Sequence, residues 1–65
     1  MTNKELEKVY AFRKEIIKAK EVKVQIGSLT FTYQDTYANE IVEKIFNVKS
    51  KVSIYADGKL LVILN

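Results

Sequence analysis

The chain contains no cysteine, no histidine, no proline and no tryptophan, and it has only two glycines. Without cysteine there is no disulfide and no thiol nucleophile, and without cysteine or histidine the usual zinc and iron–sulfur sites are excluded. The lack of histidine also removes imidazole as a general base. The sequence therefore implies no metal and no cofactor, and it predicts a protein without enzymatic activity.

Long apolar runs are missing as well. The longest, residues 60–64, is far shorter than the roughly 20 residues of a membrane-spanning helix. The N-terminal residues are polar and charged, and no signal-peptide core follows them. We therefore expect a cytoplasmic protein that does not bind membranes.

The composition is that of one small folded domain. The 65 residues are 48% hydrophobic, and 11 Lys and Arg against 8 Asp and Glu give a net charge of +3. This length accommodates a single α+β domain, residues 1–65. Such a domain buries only about 60% of the surface of its unfolded chain, so either its core is very efficient or a second copy or a partner covers part of the apolar surface.

Two segments have the apolar periodicity of amphipathic helices. The first is predicted over residues 3–20, with Thr2 and Glu5 forming a capping box at its start. One broad side of it carries the apolar residues Leu6, Val9, Tyr10, Phe12, Ile16, Ile17 and Ala19. The second is predicted to follow an N-cap at Asp35 or Thr36. Its apolar residues are Tyr37, Ala38, Ile41, Val42, Ile45 and Phe46.

The segment after the first helix predicts a β-hairpin. Residues 21–26 and 29–33 alternate apolar and polar side chains on either side of a two-residue Gly-Ser turn. All six apolar side chains then share one face. The predicted facing pairs are Ile26 with Leu29 and Val24 with Phe31.

Residues 51–56 and 59–65 predict a second hairpin, because Asp57-Gly58 between them is a type I′ turn signal. The predicted facing pairs are Ala56 with Lys59, Ile54 with Leu61 and Val52 with Ile63. Regular alternation then places four apolar side chains on the opposite face, namely Tyr55, Leu60, Val62 and Leu64. A register shifted by one residue would move these side chains to the other face.

The order helix–hairpin–helix–hairpin predicts a two-layer αββαββ sandwich, in which both helices cover one face of a four-stranded antiparallel sheet. A right-handed crossover from 29–33 to 51–56 leaves room for one strand, and the tight turn places 59–64 in that gap. The predicted strand order is 51–56, 59–64, 29–33, 21–26. This is a ferredoxin-like arrangement in circularly permuted order. The alternative is two hairpins that do not share a sheet.

An apolar cluster on a sheet face that no helix covers is typical of an interaction surface. The candidate interface residues are Tyr55, Leu60, Val62 and Leu64, with Lys51 at the rim. We therefore expect a small non-enzymatic regulatory module that binds a protein, most simply a second copy in a homodimer. Binding modules of this size are common among phage and mobile-element products that bind a host protein. From its size alone, we therefore expect a phage or mobile-element origin. Replacing Val62 by Lys should abolish association and leave the fold intact.

The alternative function is non-specific nucleic-acid binding. A cluster of cations near the end of the first helix would contact phosphates, namely Arg13, Lys14, Lys18, Lys20 and Lys23. A simpler interpretation is that these charges compensate the helix dipole and keep the protein soluble. RNA-binding sheets stack bases on aromatic residues of their central strands, whereas Tyr55 is predicted on an edge strand. No small-molecule ligand is implied.

Overall fold

The computed structural model describes all 65 residues, Met1–Asn65, and places them in three helices and one four-stranded antiparallel sheet. The helices are α1 (Asn3–Ala11), α2 (Arg13–Lys18) and α3 (Ala38–Ile45). The strands are β1 (Glu21–Ile26), β2 (Leu29–Gln34), β3 (Val52–Ala56) and β4 (Lys59–Leu64). None of the helices combines the length and the apolar character needed to cross a lipid bilayer.

The helix predicted over residues 3–20 is divided in two at Phe12. The capping box at its start is present, because the Glu5 N–H donates to Thr2 Oγ1 at 3.3 Å and the Thr2 N–H donates to Glu5 Oε1 at 3.2 Å. Phe12 leaves the helical region with φ −102° and ψ 17°. The Arg13 side chain donates to the Tyr10 carbonyl at 3.2 Å, which gives that oxygen a partner at the break.

The second predicted helix is α3, and its N-cap is Tyr37 rather than Asp35 or Thr36. Asp35 has a φ of 51°, a left-handed conformation that Asp tolerates better than most residues. It therefore ends the path of β2 and does not cap the helix. The Thr36 side chain is buried, and its hydroxyl has no hydrogen-bond partner.

The outward charges of α3 do not pair with each other, although their i,i+4 spacing favours an ion pair between Glu40 and Lys44. Glu40 Oε1 accepts a hydrogen bond from the Tyr37 N–H at 3.3 Å. Lys44 Nζ lies 3.9 Å from the centre of the Phe31 ring on β2. The helix start and the neighbouring aromatic ring thus engage both side chains, and Glu40 and Lys44 form no ion pair.

The first hairpin has the predicted register. Val24 lies opposite Phe31, and Ile26 lies opposite Leu29. Gly27 has a φ of 59°, as a type II′ turn requires at its first central position. The two-residue turn fixes the pairing, and the alternation on both strands agrees with it.

The second hairpin follows the predicted register only next to its turn. Asp57 and Gly58 both have positive φ, as a type I′ turn requires, and Ala56 lies opposite Lys59. A β-bulge then leaves Leu61 without a partner, so that Ile54 lies opposite Val62 and Val52 opposite Leu64. The predicted pairs of Ile54 with Leu61 and of Val52 with Ile63 are therefore wrong by one residue.

The strand order is β2-β1-β3-β4, so the predicted order with β4 between β3 and β2 is wrong. The ferredoxin-like permuted arrangement built on that order is not confirmed. β1 pairs directly with β3, and Val24 lies opposite Ile54. The crossover through α3 still passes one strand, but that strand is β1. Lys23 stands on the open face of β1, where a central antiparallel strand accepts a lysine.

The core lies between the helices and one face of the sheet. Fourteen buried apolar side chains form a single cluster. Those with no exposed surface are Val9, Ile16, Val22, Val24, Ile41, Ile45, Val52, Ile54 and Leu64. We call the sheet face that contributes to this cluster the inner face. The opposite, outer face carries exposed polar side chains on β1 and β2 and is not covered by a helix.

Candidate interaction surfaces

The outer face carries an apolar patch where β3 and β4 pair. Tyr55 lies opposite Leu60, and the next pair on the same face joins Ser53 and Ile63. Leu60 and Ile63 are each 44% exposed, and Tyr55 is half-buried. We call Tyr55, Leu60 and Ile63 the outer apolar patch.

Two of the predicted interface residues lie elsewhere. Leu64 is fully buried, and the half-buried Val62 packs against the core. The bulge at Leu61 turns both side chains to the inner face and brings Ile63 to the outer one. Sequence reasoning missed Ile63, because nothing in a run of five apolar residues marks where a bulge falls.

Tyr55 and Leu60 do stand on the outer face, as predicted. Lys51 is exposed immediately before β3, and with Tyr55 it borders a shallow depression of about 280 Å³ on this face. It therefore lies at the rim of the outer apolar patch.

The other half of the outer face is polar. Thr32, Lys23, Tyr55 and Leu60 form one row across all four strands. A depression of about 320 Å³ lies between the two halves, bordered by Lys23, Gln25, Thr30, Tyr55 and Gly58. The expectation that Tyr55 stands on an edge strand is wrong, because β3 is a central strand.

The predicted basic cluster is divided between two sides of the molecule. Arg13 and Lys14 border a groove among the helices, whereas Lys23 stands on the outer face with Nζ 3.9 Å from Glu21 Oε1. Lys18 and Lys20 are exposed between these regions. The five cations thus do not form one compact surface.

The largest group of exposed apolar side chains lies on the solvent side of the helix layer. Tyr10, Ile17, Tyr37 and Phe46 are 41–55% exposed. They line two depressions of about 360 and 390 Å³ that share Tyr10. We call this surface between α1–α2 and α3 the helix groove.

Sequence reasoning assigned all four of these residues to the apolar sides of the two helices. The available signal was the width of those sides. The apolar sides of the two helical segments, with seven and six residues, are wider than one sheet face needs, because only part of a helix circumference can contact it. The surplus residues form the walls of the helix groove.

Two ionisable side chains have shifted pKa values, and both lie outside these surfaces. The Thr2 backbone hydrogen bond holds the pKa of Glu5 below its ordinary 4.5. Burial, with a smaller contribution from the charge of Glu40, raises the pKa of Tyr33 above 10.0. Nowhere do three or more carboxylates come close enough to hold a metal ion.

Searches against protein-family models, curated proteins and solved structures give no significant match to this chain.

Proposed function

We propose that the chain is a small non-enzymatic protein-interaction module that self-associates through the outer apolar patch. The observation that carries this proposal is the exposure of Leu60 and Ile63 beside Tyr55 on a sheet face without helices. Contiguous exposed apolar side chains of this size are typical of interaction sites. The proposal places the module in the cytoplasm. Disulfides are rarely stable in that reducing compartment, so the lack of cysteine is no disadvantage there.

A second copy fits the patch for two reasons. A domain of 65 residues has a small core, so covering apolar surface in a dimer adds a large share of its stability. In addition, a twofold axis brings identical patches together and needs no further complementary surface. The neighbouring polar side chains of β1, such as Gln25, would then form the hydrated rim of the interface.

The substitution Leu60→Lys tests this proposal. Burying a leucine contributes about 1.5–3 kcal/mol, so its replacement by a charged side chain should raise the dimer dissociation constant at least about tenfold. Light scattering after size exclusion, at micromolar concentration and in both low and high salt, measures the change in mass. Wild type should be a dimer in both salts, because the interface is apolar.

Thr30→Lys is the matched control, since it places the same charge on the same sheet face at β2. It should leave the dimer intact. A monomeric wild type would contradict self-association, and a dimer that survives Leu60→Lys would contradict the assignment to the outer apolar patch.

A second candidate function, nucleic-acid binding, gains support from one observation. Lys23 lies directly opposite Tyr55 on the two central strands of the open face. An aromatic residue on a central strand can stack on a base while the neighbouring lysine contacts a phosphate. Single-stranded oligonucleotide binding that falls steeply with salt, and that Tyr55→Ser and Lys23→Gln each weaken, would favour this function. Absence of binding at low salt would exclude it.

A further inference from the structure

The helix groove is lined mainly by apolar side chains from three helices. Tyr10 is on α1, Ile17 is on α2, and Tyr37 with Ala38 forms the start of α3. At the other end, Leu6, Val42 and Phe46 extend the apolar surface along α1 and α3. A groove between two helices with aromatic walls is suited to a short segment that inserts apolar anchors.

One end of the groove is positively charged. Arg13 and Lys14 border it beside Ile17 and Tyr37. Neither forms an ion pair. The structure contains one ion pair, between Lys23 and Glu21. The hydrogen bond from Arg13 to the Tyr10 carbonyl, at 3.2 Å, holds the guanidinium at this rim and leaves its other N–H groups free.

No acidic side chain lines this end of the groove. Glu40, in the first turn of α3, accepts a hydrogen bond from the Tyr37 backbone N–H at 3.3 Å. Glu7 borders the opposite end of the groove, near Phe46. The groove thus has a basic end with unpaired cations and an apolar floor.

We propose that the helix groove binds a short acidic amphipathic segment of a partner protein. Its apolar side chains would cover Tyr10, Ile17 and Tyr37, and its carboxylates would pair with Arg13 and Lys14. Arginine favours this chemistry, because its planar guanidinium binds a carboxylate through two parallel hydrogen bonds. This site is separate from the outer apolar patch, so a dimer could carry one such segment on each copy.

The groove fits a protein segment better than a nucleic acid. A nucleic-acid strand needs cations repeated along its phosphates, and here two cations stand at one end with Glu7 at the other. The experiment below therefore includes a nucleic acid as a competing ligand for the groove.

The probe is a synthetic helix-forming peptide of about 15 residues. It carries Leu at positions i, i+3, i+4 and i+7, Glu on the flanks and one Trp, which reports binding without background because the protein contains no Trp. Trp fluorescence gives the affinity, and amide chemical shifts of the protein locate the site. The proposal predicts saturable binding with shifts at Tyr37 and Ile17.

Two substitutions and two matched controls define the contacts. Ile17→Ser should weaken binding about tenfold through lost apolar burial, and Lys14→Glu should weaken it about threefold or more through reversed charge. Leu29→Ser removes an equally exposed apolar side chain outside the groove, and Lys49→Glu makes the same charge change at a distant loop. Both controls should bind like wild type, and circular dichroism checks that all four variants are folded.

Four results would overturn the proposal. The first is equal binding of the Glu peptide and a Lys-substituted version, which would remove the role of charge. The second is binding unchanged by Ile17→Ser. The third is an oligothymidylate that shifts the same amides more strongly than the peptide. The fourth is a dimer that Ile17→Ser dissociates, which would show that a second copy occupies the groove.

Discussion

At the scale of single residues, Asp57 connects the turn of the second hairpin to the start of β1, one of the two central strands. Its Oδ1 accepts the backbone N–H groups of Lys20 and Glu21 at 3.1 and 3.0 Å, and its own N–H donates to the Glu21 carbonyl at 2.8 Å. It also has a φ of 49° in the turn. Sequence reasoning found the turn but not the side-chain contacts, because the partner residues lie 36 and 37 positions away.

Asp57→Ala and Asp57→Asn separate these contributions. Alanine removes the acceptor and disfavours the left-handed conformation, so it should lower the free energy of unfolding by about 2–4 kcal/mol. Asparagine keeps an acceptor oxygen and is well suited to a type I′ turn, so its cost should stay within about 1 kcal/mol. Urea unfolding measures both. Equal losses would show that the carboxylate charge, and not the oxygen acceptor, is the stabilising feature.

Glu5 gives the fold a dependence on acid pH. Its pKa is lower in the folded chain than its ordinary 4.5, mainly through the Thr2 backbone hydrogen bond. The charged form is therefore favoured on folding, and this stabilisation is present above pH 4.5 and lost as the pH falls through the lower folded value. Wild type should be more stable than Glu5→Gln near neutral pH, and the difference should vanish in acid. A difference in unfolding free energy that stays constant with pH would contradict this.

At the scale of secondary-structure elements, β4 shows how one bulge redistributes a whole strand. Before the bulge, Leu60 faces outward as alternation predicts. After it, Val62 and Leu64 face the core and Ile63 faces solvent. The first hairpin was predictable throughout, because its polar and apolar residues alternate without interruption. The second hairpin was predictable only to Leu60. Beyond it, β4 has apolar residues on both faces, so the hydrophobic pattern does not indicate the register.

Lysine substitutions at neighbouring positions of β4 test this register. Val62→Lys should cost about 2 kcal/mol or more, because the side chain packs against the core. It is thus unsuitable for testing association, contrary to the expectation from the sequence. In the Leu60→Lys background, where no dimer contributes to stability, Ile63→Lys should leave the unfolding free energy within about 1 kcal/mol, because Ile63 stands on the outer face. Thermal unfolding of the two variants decides the register, and the reverse ranking would restore the regular alternation.

At the scale of the whole molecule, one core of 14 apolar side chains separates two unlike surfaces. The outer apolar patch belongs to the sheet, and the helix groove belongs to the helix layer. The α+β class and most of the core were predictable from the period of apolar residues, whereas Leu64 was predicted on the outer face and is fully buried. The strand order was not, because β1 and β4 both fit the gap of one strand in the crossover, and alternation does not distinguish them.

The two surfaces should act independently. Leu60→Lys should leave the affinity of the acidic peptide within about twofold of wild type, and Ile17→Ser should leave the dimer mass unchanged, because distant sites contribute additively. Titration of the peptide into the Leu60→Lys variant, with light scattering of the Ile17→Ser variant, checks both statements. A peptide affinity that changes more than about twofold in the Leu60→Lys variant would contradict the independence of the two surfaces.

The bulge at Leu61 also bears on solubility. β4 is an edge strand with five consecutive apolar residues, a combination that invites strand-to-strand aggregation. An irregular edge is a poor template for another strand, because its free N–H and C=O groups do not present a continuous ladder. Deleting Leu61 would remove the bulge and leave every other β4 side chain on its present face. The same deletion would straighten the edge of the sheet. On this interpretation, Leu61 protects the chain against fibril formation.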